Sequence, residues 1–106
     1  MLVSEQSGLR AWFPEETEAE FREIARAYRK ESDLLGEAFE SAVRRGVALI
    51  EQFPEAAPVA GGIVRRRVLR RFPFSHFYVI ESDRIRILAI AHHRRRPGYW
   101  AARHQS

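Results

Sequence analysis

The run Ile85-Arg86-Ile87-Leu88-Ala89-Ile90-Ala91 carries one charge and stops abruptly at His92-His93-Arg94-Arg95-Arg96. An apolar, β-branched run of this length suits a strand buried on both faces. Such a strand is central to a sheet, so the rest of the chain must supply its neighbours and its cover. Pro97-Gly98-Tyr99-Trp100 follows the basic stretch. Two imidazoles and three guanidinium groups therefore stand at the end of a rigid element, where a phosphate-bearing partner would be met.

The other elements follow from periodicity and punctuation. Residues 1–8 are polar and read as a flexible N-terminus, with Gly8 as the boundary of a single domain over 9–104. Leu9 to Phe13 alternates as a short first strand. Pro14 sets the first turn of a helix over 15–31, in which Phe21, Ile24, Ala25 and Tyr28 recur at helical spacing. Ser32-Asp33 offers an N-cap for a second helix, whose stripe Leu35, Phe39, Ala42, Val43, Gly46, Leu49, Ile50 and Phe53 ends at Pro54. Gly46 costs about 1 kcal/mol of helix stability relative to alanine, and a close approach of the two helices, against Ala25, would explain it. Their short connection predicts an antiparallel hairpin.

Glu55 to Gly62, rich in Ala, Pro and Gly, reads as a linker. From Ile63 the period changes to two, placing Arg65 and Arg67 on one face of a second strand about 7 Å apart. Arg70-Arg71 and Pro73 mark a turn, Phe74 to Ile80 a third strand, and Ser82-Asp83 a tight hairpin into the fourth. Pro97 then opens a short closing helix holding Tyr99, Trp100 and Arg103. The order predicts an α+β fold: an N-terminal strand, a two-helix antiparallel hairpin packed on a mainly antiparallel four-stranded sheet, and a short C-terminal helix. Arg65, Arg67 and the 92–96 segment are expected to converge on the sheet face away from the helices.

Charge divides along the same line. Residues 1–62 hold seven Arg/Lys against twelve Asp/Glu, a balance of −5, whereas residues 63–106 hold eleven arginines against Glu81 and Asp83, a balance of +9. The first half suits solvent and the second a polyanion or an acidic partner. Cysteine is absent, which excludes a disulfide framework and a zinc ribbon and fits a reducing cytoplasm. No signal-like N-terminus and no bilayer-length apolar run is present, so a cytoplasmic protein without membrane contact is expected.

Several side chains invite chemistry. Arg65 and Arg67 suit successive phosphates of a nucleic acid strand, although basic runs of this kind are usually solvated surface. His92 or His93 suits proton transfer near neutral pH, against the commoner role of a histidine bonded to backbone at a strand end. Arg94, Arg95 and Arg96 precede the expected closing helix, whose N-terminus favours an anion. One of them can stabilise a phosphorane-like charge. Tyr99 and Trp100 can stack on a base, or simply staple the terminal segment to the sheet. The four histidines have no metal-ligand spacing and no glycine-rich phosphate loop occurs, so neither metal nor cofactor is expected.

In this order the motifs resemble the RelE/ParE superfamily of toxins from type II toxin–antitoxin modules. The likeness runs over about 9–104. It is carried by Phe53-Pro54-Glu55 at the end of the helical hairpin, Val64-Arg65-Arg66, Arg71-Phe72-Pro73-Phe74, Ile87 to His92, and most specifically Arg94 to Trp100. Two activities are implied: ribosome-dependent mRNA cleavage by RelE-like members and poisoning of DNA gyrase by ParE-like, plasmid-stabilisation members. For the metal-independent endoribonuclease, Arg65 and Arg67 match the basic pair of the second strand and Arg94 the arginine after the fourth. His92 or His93 falls near a histidine that some members use, and Tyr99 one residue before the place of the terminal tyrosine. Phe74 stands about where the nucleases carry an arginine, and Trp100 about where they carry the tyrosine. Phe72-Pro73-Phe74 resembles the ParE-like branch, which is the expectation taken forward. Arg66, Arg95, Arg96 and Trp100 are then residues for binding the target or nucleic acid. The implied partners are a cognate antitoxin, forming a hetero-oligomer, and gyrase or the ribosome with its mRNA as target. A family member that has lost activity and acts as a binding module is the remaining alternative.

Overall fold

Proline has no N–H to donate, so the first helix begins directly after Pro14, whose carbonyl accepts the Glu18 N–H at 2.9 Å. The computed structural model describes residues 8–96 and 98–105, with the backbone alone at 104 and 105. The expectations placed on residues 1–7 and on Pro97 lie outside them. Helix α1 (Glu15–Glu31) carries Glu15, Glu16 and Glu18 in its first turn and Arg29 and Lys30 in its last, offsetting the helix dipole at both ends. Ser32 closes it by donating its N–H to the Tyr28 carbonyl and opens α2 (Asp33–Gln52), its hydroxyl accepting the Leu35 N–H at 3.2 Å. One residue thus ends one helix and caps the next, which forces the hairpin. Arg29 pairs with Glu40 across it, and Gly36 lies against the Arg29 side chain.

The sheet has five strands, in the order β1-β5-β4-β3-β2. They are β1 (Ala11–Trp12), β2 (Val59–Gly61), β3 (Val64–Val68), β4 (Phe74–Ile80) and β5 (Ile85–His92). Only the β1–β5 pairing is parallel. The fold class is the expected one, with a correction to its strand count. The stretch read as a linker contributes β2, a three-residue edge too short and too rich in Ala and Gly to show alternation. The closing helix, α3 (Ala101–Gln105), starts after Tyr99 and Trp100 rather than holding them.

Odd-numbered and even-numbered residues of β4 point to opposite faces. Phe74, His76 and Tyr78 meet the helices, while Ser75, Phe77 and Val79 face away. Under α1 and α2 the core is aromatic: Phe39 is fully buried, with Phe21, Tyr28, Phe72 and Phe74 at ring-centroid distances of 5.3–6.0 Å. The close approach at Gly46 is to the sheet, which corrects the expectation of a helix–helix contact. A Cβ there would lie 2.6 Å from Cε1 of buried His76.

β1 covers only the first two residues of the β5 edge. Beyond it α1 substitutes for a strand. The buried Thr17 hydroxyl lies 2.8 Å from both the Ile87 and Leu88 carbonyls, and the Ile90 N–H donates to Glu20 Oε1 at 3.2 Å. Groups that would otherwise be orphaned at an unpaired edge are satisfied by two helix side chains.

Candidate functional site

The register of β3 decides which arginines meet. Val64 is buried with Val79 and Leu88 on the face away from the helices, so that face also receives Arg66, and its neighbours turn back. Arg65 and Arg67 do share one face, but it is the covered one, opposite Tyr78 and His76. Arg65 donates to the Ala57 and Glu55 carbonyls at 2.6 and 3.1 Å, holding the chain that leaves α2. Arg67 lies beside His76 and lines a hollow against α2. Neither reaches the segment after β5, so the expected convergence of Arg65, Arg67 and Arg94 does not occur. The physical reason is that three consecutive arginines give no polarity signal for which face is covered.

Arg66 stands in their place. Its Nε donates to the buried Ser75 hydroxyl at 3.0 Å, and Ser75 Oγ lies 3.1 Å from Nε2 of exposed His93. Accepting from Arg66, the serine hydroxyl can donate its own hydrogen bond to His93 Nε2. Fixed through Nε, the Arg66 guanidinium keeps its terminal nitrogens for a ligand. Together these side chains form one wall of a cleft of about 420 Å³, whose lining includes Arg66, Phe77, His93, Arg95, Arg96 and Trp100. Trp100 stacks on Phe77 with ring centroids 5.4 Å apart, so it staples the terminal segment to the sheet and still borders the cleft. The Arg95 guanidinium lies 3.9 Å over the Tyr99 ring, a cation–π contact that holds a positive charge at the rim.

Tyr99 is anchored rather than free. Its hydroxyl donates to Glu20 Oε2 at 2.9 Å, and Arg103 pairs with the same oxygen at 2.9 Å while reaching the Leu88 carbonyl at 3.1 Å. Burial first, then the Glu20 carboxylate, pushes the Tyr99 phenol up to about 12. A phenol so held stays protonated near neutral pH and is poorly suited to accept a proton in catalysis. Glu20 is the hub, since it also accepts from Ile90. Glu20→Ala removes the acceptor shared by Tyr99, Ile90 and Arg103 and should cost about 1–3 kcal/mol, discounted for partial exposure. Hydrogen exchange over 99–103 should quicken, and unchanged protection there would refute the hub role.

His92 lines the cleft, but its ring stands edge-on to Phe74 and its Nδ1 accepts the Arg94 N–H at 3.0 Å. Arg94 is exposed and absent from the lining. Helix α3 begins at Ala101, so among the described residues no helix opens directly after Arg94–Arg96, which corrects the expected start of the closing helix. Among the described residues no three His, Asp or Glu side chains are placed to hold a metal ion, and no helix is long and apolar enough to cross a membrane. Sequence reasoning missed Ser75, Phe77 and Glu20, and offered His92 or His93 without deciding between them. A two-residue offset from Ser75 to Phe77 was the available signal, since it puts both on the face of Arg66.

Comparison with known proteins agrees with this architecture. The family model described as ParE toxin of type II toxin–antitoxin system, parDE, matches residues 13–97. Among solved structures, one titled chromosomal ParDE TA system from P. aeruginosa is similar at a TM-score of 0.70 and 20% identity. The match covers 79% of this chain and 95% of that one. No curated protein sequence matches.

Proposed function

The chain belongs to the ParE toxin family of type II toxin–antitoxin systems, and from that premise we propose that it arrests growth by inhibiting DNA gyrase, without itself cutting nucleic acid. The observation that carries this reading is the sorting of side chains around the sheet. Arg66, Arg95, Arg96 and Trp100, the residues assigned to target binding, border one open cleft. Of those assigned to phosphodiester cleavage, Arg65 is held on backbone carbonyls and Arg67 under α2, both away from the cleft. His92 and Tyr99 border it, with His92 Nδ1 bound to the Arg94 N–H and the Tyr99 hydroxyl bound to Glu20. A cationic, aromatic-edged cleft suits recognition of an acidic or phosphate-bearing surface. The protein then acts in the cytoplasm beside a cognate antitoxin encoded next to it, and an acidic, apolar antitoxin segment would offset the +9 half.

Expression alone should stop growth, and co-expression of the neighbouring reading frame should restore it. With purified gyrase and plasmid, the protein should inhibit supercoiling or accumulate cleaved DNA, and Arg66→Ala with Trp100→Ala should weaken that effect. Transcripts should remain intact in a purified translation system. Ribosome-dependent transcript cleavage would overturn the gyrase reading in favour of the nuclease, and harmless expression without the neighbour would favour an inactive binding module.

A further inference from the structure

A second cationic site lies on the opposite side of the sheet, at the turn joining β3 to β4. Leu69 and Phe72 are buried there, and the Leu69 N–H donates to the Phe74 carbonyl at 2.9 Å. The tight turn between them pushes Arg70 and Arg71 outward. Arg71 has φ 74°, a left-handed conformation that glycine takes without strain, yet the position holds an arginine. From α2, Arg45 meets the same corner. Arg45 and Arg70 line two adjoining hollows, one of about 400 Å³ shared with Arg71 and a smaller one of about 80 Å³ shared with Arg67. No carboxylate lines either hollow. Nor does Arg45, Arg70 or Arg71 form an ion pair among the described residues. Arg67 adds a buried Nε without a hydrogen-bond partner.

We propose that this corner binds a backbone phosphate of duplex nucleic acid, seated between Arg45, Arg67 and Arg70 with Arg71 gripping its neighbour. Four guanidinium groups without a counter-charge repel one another, and a polyanion relieves that repulsion while its counterions are released. Arginine forks match phosphate oxygens. The smaller hollow suits one tetrahedral anion and not a base. Phe72 lines the larger hollow but is only 8% exposed, so its ring offers little stacking surface. A partner offering only its backbone, as a duplex does, fits better than an unpaired strand. The site is independent of the cleft that carries Arg66, and the inference does not depend on gyrase being the target.

The test is fluorescence anisotropy of a short labelled duplex titrated with the full chain at several salt concentrations, with no gyrase present. Arg70 and Arg71 are exposed, so the double variant Arg70→Ala/Arg71→Ala should fold as the parent does, checked by circular dichroism. It should bind at least about tenfold more weakly, and the slope of log affinity against log salt should fall by about two. Arg10→Ala, which removes an exposed arginine beside β1 at the far edge of the sheet, should leave duplex binding unchanged. Inorganic phosphate at millimolar levels should compete only weakly, which separates a backbone site from a free-phosphate site. Equal losses in Arg10→Ala, displacement by an acidic peptide at the same concentration of charge, or unaltered binding by the double variant would each overturn the proposal.

Discussion

Phe39→Ala should lower the stability of the protein by about 3–5 kcal/mol, the largest loss expected from any single truncation in the core. Phe39 has no exposed surface and lies at the meeting point of the two helices and the sheet. Its ring is stacked with Phe21 from α1, tilted against Tyr28, and edge-on to Phe72 and Phe74 at 5.4 and 5.6 Å. Truncation therefore removes the buried area of one ring and the favourable geometry of four ring pairs, each worth roughly 0.5–1.5 kcal/mol beyond area alone. Those neighbours come from different elements and cannot collapse together into the space. Small domains have only about 5–15 kcal/mol in total, so the midpoint of thermal unfolding should fall by on the order of 20 °C. Leu34→Ala is the control, because Leu34 is 77% exposed and should change stability by no more than about 0.5 kcal/mol. If Phe39→Ala costs as little as Leu34→Ala in urea melts, the aromatic cluster does not hold the hairpin to the sheet.

The helices were legible because their signals are local. Pro14 and Ser32 mark the starts, and the 3.6-residue stripe continues without a break to Phe53. β4 and β5 were legible for the same reason, each combining apolar content with a punctuated end. β3 was legible as a strand but not in its facing. Alternation shows that Arg65 and Arg67 share a side, and only the pairing of Val64 with its neighbours across the sheet tells which side is covered. Gly46 announced a close contact without naming its partner, His76, thirty positions away. Glu20 looked like one more acid on a polar helix face, yet its partners Ile90 and Tyr99 lie 70 and 79 residues downstream. Arg66, Arg95, Arg96 and Trp100 were grouped through the family resemblance, and the signals in the chain itself, two separated basic runs and a terminal aromatic, did not show that they meet. The two residues that tie Arg66 down, Ser75 and His93, became visible only with the register of β3, β4 and β5.

The buried imidazole against Gly46 makes stability depend on pH over a window in which the paired carboxylates still hold. His76 is completely buried, faces Arg67 from β3, and finds no hydrogen-bond partner of good geometry for either ring nitrogen, the Val43 backbone giving only partial compensation. Burial first, and the Arg67 charge second, lower it from 6.5 to about 4. The unfolded chain thus binds a proton that the folded chain refuses between those values. Stability is complete above about pH 6.5, declines as pH falls towards 4, and levels off below, where both states are protonated. The full difference is about 3 kcal/mol, of which about 2 kcal/mol is lost by pH 5. Glu81, lowered by its hydrogen bond to Arg84, works in the same direction but only from about pH 4.5 downward. Urea melts between pH 7 and 5 therefore isolate the histidine. His76→Leu should flatten the profile there. Should that variant fold poorly under Gly46, NMR titration of the wild-type imidazole gives the answer directly. An imidazole that titrates near 6.5 in the folded protein would mean that His76 is neither dry nor held against Arg67.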